Sequence, residues 1–228
     1  SFVSELYLQN GDAVQKPFGK IFIIIRKGKN MLKICVIMGG VMPVPAVCGG
    51  AIETLVTSIV KKYSSKDGFQ LTVCSVYHPE AVKAAEQYPE VRFFWTHTRS
   101  IKKMFMHAIF LGVRAISGKC FRPLQRHYNE IAKLFENESF DLIIAEGGDT
   151  QAITDIAKGY RREQFVNHIH IHYLPPENTA KNYGHMIGVS EFVTKEYLNA
   201  CKPHVKAHTL KNAIDRDKFN KEVTEDEK

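Results

Sequence analysis

Short apolar runs alternate with segments of helical period from Met31 onward, and this alternation constrains the fold more than any other feature of the sequence. An apolar run of about four to eight residues predicts a buried strand, whereas apolar positions at helical spacing predict a one-sided helix. Strands that alternate with helices pair in parallel, because each helix crosses the sheet before the next strand begins. The sequence therefore predicts an α/β fold that is Rossmann-like, with a mainly parallel sheet and helices on both faces.

The predicted elements cover most of the chain after Met31. Strands are predicted at Lys33–Met38, Gln70–Val76, Val91–Trp95, Asp141–Ala145, Val166–Ile171, Met186–Val189 and Val205–Thr209. Helices are predicted at Gly49–Tyr63, Glu80–Gln87, Ser100–Ser117, Pro123–Asn137, Thr150–Tyr160 and Glu191–Ala200. No internal repeat or low-complexity segment interrupts this series.

The length of the chain favours one main domain with additions. Its 228 residues, 44% of them hydrophobic, can bury one sizeable core but are few for two full domains. Residues 31–218 are predicted as the Rossmann-like domain and residues 219–228 as a linker or frayed tail. Residues 1–30 differ from the rest: either Met31 is the natural start and they are a non-native extension, or Ile21–Ile25 forms an extra edge strand.

Cysteine usage and hydropathy favour a cytoplasmic protein. The five cysteines show no CxxC spacing, which suggests a reducing compartment. No secretory signal is recognised in the first residues. No stretch reaches the roughly 18 to 20 uninterrupted apolar residues of a membrane span. An integral membrane protein is therefore not expected.

The positive charge of the chain is concentrated in one segment. The formal net charge is +7, and the residues from Val91 to Arg126 contain eight Lys and Arg but no Asp or Glu. Apolar side chains alternate with cations over 99–126, which suits a helix lying on an anionic membrane surface. A core helix with a solvated basic face is the alternative. Nucleic acid is not an expected partner, because no recognition-helix or RNA-binding signature accompanies the charge.

A glycine pair stands between the first strand and the first helix, in "PVPAVCGGAIETLV". Gly49 and Gly50 suit a phosphate site, because N–H groups at a helix start carry partial positive charge and glycine lets a ligand approach the main chain. Glu53 either serves that site or satisfies N–H groups of the helix. No GxGxxG follows the first strand, so a nicotinamide cofactor is disfavoured.

Two polar clusters follow later strands. Glu146, Gly147, Gly148 and Asp149 lie just beyond an apolar strand, at the sheet edge where ligands of open α/β sheets bind; a turn that caps the next helix is the alternative. His168, His170 and His172 alternate and so share one face of a strand. Three imidazoles can bind zinc, but no cysteine or carboxylate lies near them at a usual ligand spacing. The sequence therefore predicts no metal, and favours either cleft residues or structural histidines.

The order of six segments resembles the N-terminal domain of the family 4 glycosyltransferases, which have the GT-B architecture. These segments are "KICVIMGGVMPVPAVCGGAIETLVTSIVKKY", "FQLTVCSVYHPEA", "FDLIIAEGG", "FVNHIHIHYLPP", "IGVSEFVTKEYL" and "LKNAIDRDKF". Gly49-Gly50 with Glu53 is similar to the family's glycine-glycine-x-x-Glu loop. "KNAIDRDKF" is similar to its Asn-Gly-x-Asp…Phe segment, with Ala213 in place of the usual Gly.

The resemblance implies an enzyme and a set of site residues. It implies the N-terminal, acceptor-side half of a GT-B fold, with a separate C-terminal domain holding most of the donor contacts. The reaction implied is sugar transfer from a nucleotide-sugar donor to a saccharide or lipid-linked acceptor, with retention and without metal or other cofactor. Bacterial surface polysaccharide synthesis, at the inner face of the membrane, is the expected setting. The implied catalytic residues are Glu146, His170 and His172, and the implied donor- or acceptor-binding residues are Gly49, Gly50, Glu53, Gly147, Ser190 and Asn212.

Two further patterns receive no role. Glu130 and Glu138 match the family's E-x7-E donor motif but lie on a helix of the first domain, and Asp215 and Asp217 spell a DxD metal motif of another architecture. If the second domain is absent, weak or no transfer by this chain alone is expected. The rival interpretations are a truncated, non-catalytic binding module for a partner chain or membrane, and an unrelated nucleotide-binding enzyme.

Overall fold

The computed structural model of the chain describes residues 31–63, 68–97, 125–171, 180–201 and 205–212. Seven strands lie in these ranges: β1 Leu32–Met38, β2 Phe69–Val76, β3 Arg92–Thr96, β4 Leu142–Glu146, β5 Phe165–Ile169, β6 His185–Gly188 and β7 Lys206–Thr209. Five α-helices are α1 Ala51–Lys62, α2 Pro79–Ala85, α3 Gln125–Asn137, α4 Thr150–Ile156 and α5 Glu191–Cys201, with a 3-10 turn at Arg162–Gln164.

All seven strands form one parallel sheet in the order β3-β2-β1-β4-β5-β6-β7. This arrangement confirms the predicted Rossmann-like α/β fold, and every predicted strand is present within two residues of its expected ends. The predicted helix at 100–117, the alternative strand at 21–25 and the tail at 219–228 lie outside the described residues.

Both faces of the sheet are covered. On β1, Ile34 and Val36 pack on the same side as Val56 and Val60 of α1. The alternating residues of β1, such as Ile37, pack on the other side with apolar side chains of α3 and α4. A parallel sheet needs this double cover because its crossover helices lie on both faces. The third apolar cluster joins α5 to β5 and β6.

One predicted helix end is wrong. The apolar period favours a helix through Tyr160, but α4 ends at Ile156. The Tyr160 hydroxyl oxygen accepts a hydrogen bond from the Phe140 N–H at 3.0 Å, and the hydroxyl donates to the Glu138 carbonyl oxygen at 3.2 Å. These contacts stabilise a turn over 157–160 in place of another helical turn.

None of the described helices combines the length and the apolar character needed to cross a bilayer.

Candidate functional site

The sheet reverses its direction of growth between β1 and β4, which are neighbours in the sheet. In open α/β sheets, a crevice forms at such a point beside the carboxyl ends of the strands, and ligands bind there. The segments that follow the two strands approach each other closely. A Cβ atom on Gly148, after β4, would lie 2.9 Å from the Cα atom of Gly39, after β1. The crevice is therefore bounded by main chain on both sides.

The start of α1 lies beside this crevice, because a Cβ atom on Gly147 would lie 3.6 Å from Ile52 Cδ1, and the predicted glycine loop before α1 is open to solvent at Gly49. Gly49 is exposed and Gly50 is half-buried, with φ angles of 81° and 96°. Gly50 precedes α1, so that no side chain caps the first N–H groups of the helix. The Glu53 carboxylate lies against Gly50, where a Cβ atom would overlap it. The structure thus brings Gly49, Gly50 and Glu53 together at the start of α1.

Hydrogen bonds hold the segment between β1 and α1 in place. The Val44 N–H donates to the buried Ser75 hydroxyl oxygen of β2 at 2.7 Å. The Ala46 N–H donates to the Thr57 hydroxyl oxygen of α1 at 2.9 Å. The loop is therefore fixed to both the sheet and the helix, although Val41 within it is 74% exposed.

The second predicted cluster lies at the ends of β4 and β5. Glu146, the last residue of β4, pairs in register with His168 of β5. One Glu146 carboxylate oxygen lies 3.0 Å from His168 Nδ1, and the other lies 2.7 Å from His170 Nε2. Only 4% of Glu146 is exposed. We call these three residues the Glu146 cluster.

The Glu146 cluster keeps its carboxylate ionised. Burial alone would raise the pKa of Glu146, but the charges and N–H groups of His168 and His170 outweigh it and lower the pKa to about 2. Both carboxylate oxygens accept a hydrogen bond, so Glu146 fixes the two imidazole rings. The ring centroids of these histidines lie 4.1 Å apart.

The sequence did not predict this pairing, because Glu146 and His168 are 22 positions apart. No carboxylate lies at a usual ligand spacing along the chain, yet the parallel register supplies one from the neighbouring strand. The pairing of Glu146 with His168 could have been predicted from the adjacency of β4 and β5 in a parallel sheet. His172, the third predicted histidine, lies outside the described residues.

A buried histidine supports the end of β1. His127 of α3 lies 3.1 Å from the Met38 carbonyl oxygen through Nε2 and 2.6 Å from the Thr96 hydroxyl oxygen through Nδ1. Burial lowers its pKa, which favours the neutral ring. A neutral ring can donate from Nε2 to Met38 and accept from Thr96 at Nδ1. The sequence predicts a helix at His127 but no functional or structural role for its side chain.

The remaining predicted residues are dispersed. Gly147 follows Glu146 and is half-buried. Ser190 caps α5, since its hydroxyl oxygen accepts the Val193 N–H at 3.2 Å. Asn212 is exposed just beyond β7, three strands from β4, or roughly 14 Å at ordinary strand spacing. The structure therefore places Asn212 away from the Glu146 cluster, whereas Ser190 follows β6, the strand next to β5.

The patterns that received no role have structural partners where the structure describes them. Glu130 accepts from the His97 N–H at 2.7 Å and from Arg126 Nε at 2.8 Å. Glu138 forms an ion pair with Arg92. The Asp149 carboxylate accepts the Ala152 N–H at 2.9 Å and caps α4, as the turn alternative predicted. Asp215 and Asp217 lie outside the described residues.

Comparison with known proteins gives structural neighbours only. No family model matches the chain, and no curated protein matches it. Among solved structures, HepE of Anabaena in complex with UDP and glucose is 13% identical, with a TM-score of 0.45, over 82% of this chain and 46% of that chain. HepE with UDP gives 14% identity and a TM-score of 0.47, and HepE with UDP-glucose gives 14% and 0.48, each over 82% of this chain and 45% of that chain. The chain thus spans less than half the length of these structures.

Proposed function

We propose that the chain is the acceptor-side half of a GT-B glycosyltransferase, which transfers a sugar from a nucleotide-sugar donor to a saccharide or lipid-linked acceptor. The observation that carries the proposal is the Gly49–Gly50 pair, exposed at Gly49, at the start of α1 that no side chain caps, beside the crevice between β1 and β4. Main-chain N–H groups at a helix start bind a diphosphate without metal. The order of sequence segments that resembles family 4 supports the same reaction.

The Glu146 cluster would serve the acceptor side. Glu146 is ionised and accepts from both histidines, so it acts as a positioning group and not as a proton donor. Its bond to His170 Nε2 leaves Nδ1 as the ring nitrogen that can meet an acceptor hydroxyl. The His170 imidazole, with 8% of its side chain exposed at this edge, can take up the proton of that hydroxyl as the new glycosidic bond forms. His172 belongs to the same proposed group by sequence.

A second lobe would complete the enzyme. Four exposed apolar residues follow the carboxyl ends of different strands: Val41 after β1, Tyr77 after β2, Ile171 after β5 and Phe192 after β6. We call them the rim residues. Exposed apolar side chains on one edge of a sheet are typical of a surface that another domain covers. The 228 residues on their own are expected to bind nucleotide sugars weakly and to turn over slightly, and retention of configuration is part of the proposal.

Titration with nucleotide sugars tests the proposal. A panel that includes UDP-glucose, with free UDP and free glucose as separate arms, is titrated into the purified chain by calorimetry. Saturable binding of the nucleotide sugars and of UDP supports a diphosphate site. Binding of no nucleotide by the intact chain, or robust sugar transfer by the chain alone, contradicts the proposal as stated.

A matched pair of variants locates the diphosphate. Asn and Asp both tolerate a positive φ angle, so Gly49→Asn and Gly49→Asp impose similar backbone strain at an open position. Only Asp adds a negative charge at the proposed phosphate site. We expect Gly49→Asp to bind UDP at least tenfold more weakly than Gly49→Asn. Equal affinity of the two variants places the nucleotide elsewhere.

A peripheral position at the inner face of the membrane is a further part of the proposal. It rests on the basic segment 99–126, of which the structure describes only the last two residues. Flotation with neutral vesicles and with vesicles that contain anionic lipid tests it. Binding that depends on anionic lipid supports the membrane contact; equal binding to both vesicles, or none, excludes it.

A further inference from the structure

We infer that Glu146, His168 and His170 form a binding site for one divalent transition-metal ion of the Zn²⁺ class. Each residue offers one ligand atom, and these atoms lie within 4.8 Å of one another. The set contains two imidazole nitrogens and one carboxylate oxygen, a combination that binds Zn²⁺ in enzymes. This inference does not depend on glycosyl transfer, and it departs from the expectation of no metal that the sequence raised. An ion on His170 Nε2 places the ring proton on Nδ1, so the metal site is an alternative to the proton-accepting role of His170 described above.

The backbone arranges the three ligands in advance. Glu146 and His168 face each other across the β4–β5 pair, and His170 follows His168 by two residues on the same face. Two of the three ligands therefore lie on adjacent, hydrogen-bonded strands. Ligands that a rigid sheet holds in place need little reorganisation when an ion binds.

The ligand atoms lie near enough for one ion once their side chains rotate. Zn²⁺ lies about 2.0 to 2.2 Å from nitrogen and oxygen ligands, so two ligands of a tetrahedral site lie about 3.4 Å apart. The observed separations from the Glu146 oxygens are 3.0 Å to His168 Nδ1 and 2.7 Å to His170 Nε2. These two contacts involve different Glu146 oxygens, Oε1 and Oε2, and the ligand atoms taken one per residue lie within 4.8 Å of one another. Side-chain rotations must therefore bring one oxygen and both nitrogens to about 3.4 Å apart.

Charge balance also favours a cation. Glu146 is a buried carboxylate, and its side-chain partners in the described part of the chain are the two histidines. Buried charges are paired with an opposite charge or coordinate a metal. A divalent ion balances the carboxylate while both imidazoles remain neutral, and neutral imidazole is the form that binds metals.

Three protein ligands leave a fourth coordination position. The cluster lies where β4 and β5 end, beside the half-buried Gly147, so this position can face the crevice. A water molecule or a substrate oxygen would occupy it, as in sites with an open position.

Metal titration of the untagged chain tests the inference. The protein is stripped with chelator and titrated with Zn²⁺ by calorimetry and with Co²⁺ by visible absorption, which reports the coordination geometry. We expect one equivalent to bind, with absorption typical of a tetrahedral or five-coordinate nitrogen–oxygen site. Absence of saturable binding at one equivalent overturns the inference and leaves an ionic pair of imidazole and carboxylate.

Three variants locate the ion. His170→Asn and Glu146→Gln each remove one ligand, and we expect each to weaken Zn²⁺ binding at least tenfold. His97→Gln is the control, because His97 is exposed and lies 3.4 Å from the Glu130 carboxylate, a pair with too few ligands. Circular dichroism verifies folding, and the His170 variant serves if Glu146→Gln does not fold. Unchanged affinity in His170→Asn, or an equal loss in His97→Gln, overturns the inference.

Discussion

Three residues at the carboxyl edge of the sheet have roles that follow from the chemistry of their side chains or from the lack of one. Gly148 brings two loops within contact, Glu146 orients two imidazoles, and Gly49 leaves the start of a helix uncovered. The sequence identified all three positions as candidates. It did not reveal the partner of Glu146, since a parallel register joins residues that are distant along the chain.

Gly148 is expected to tolerate no side chain. It has a φ angle of 81°, and a Cβ atom there would lie 2.7 Å from the Tyr128 hydroxyl oxygen. Gly148→Ala therefore adds a steric clash to backbone strain, and we expect a loss of at least about 2 kcal/mol in the free energy of unfolding. Gly159→Ala is the control, because Gly159 also has a positive φ, 96°, but open space around it. Urea denaturation of both variants measures the difference; equal losses would show that the close approach does not matter.

His185 is expected to make stability depend on pH. The pKa of His185 is lowered from 6.5 to about 4, mainly by burial and then by the charges of His208, Lys206 and Arg162, while Glu163 opposes them. Between these two values the unfolded chain binds more protons than the folded one. Stability should therefore fall as the pH falls from 6.5 to 4.

The His185 contribution is about 1 to 3 kcal/mol across that window. Urea denaturation at pH 7 and pH 5 measures it, with His185→Gln as the comparison. We expect a smaller pH difference in the variant than in the unchanged chain. An identical pH difference in both proteins would assign the effect to other groups.

The elements of secondary structure were the most predictable level of this molecule. Apolar runs predict buried strands, and all seven strands in the described residues lie at such runs. The ends were less predictable, because tertiary contacts decide them. Tyr160 continues the apolar period of α4, yet its hydroxyl bonds to Phe140 and Glu138 and its ring packs against Phe135. Such contacts leave no trace in local periodicity.

The loop before α1 is expected to depend on one buried hydroxyl. Ser75→Ala removes the acceptor of the Val44 N–H, and an unsatisfied buried N–H costs about 1 to 3 kcal/mol. Ser58→Ala is the matched control, since the Ser58 hydroxyl donates only to the Thr54 carbonyl oxygen within α1. We expect Ser75→Ala alone to lower the midpoint of urea denaturation clearly. A similar midpoint in the two variants would mean that water replaces the Ser75 hydroxyl.

The molecule as a whole is asymmetric along its strands. The carboxyl edge carries the exposed glycines, the Glu146 cluster and the rim residues Val41, Tyr77, Ile171 and Phe192. The order of the sheet, which no local pattern encodes, gathers these residues from segments far apart in the sequence. This is why the sequence predicted the candidate residues of the site better than their grouping.

The exposed apolar surface of the rim should be measurable with a hydrophobic dye. Phe192 and Ile171 are 63% and 68% exposed at the carboxyl edge, and Met31 is 52% exposed at the opposite edge, just before β1. Replacing an exposed apolar residue changes stability by no more than about 0.5 kcal/mol. We expect the double variant Ile171→Thr, Phe192→Ser to reduce fluorescence of bound anilinonaphthalene sulfonate, whereas Met31→Thr leaves it unchanged. A contiguous patch binds the dye and an isolated side chain does not, so an equal reduction in both proteins would remove the rim as the surface that a second lobe covers.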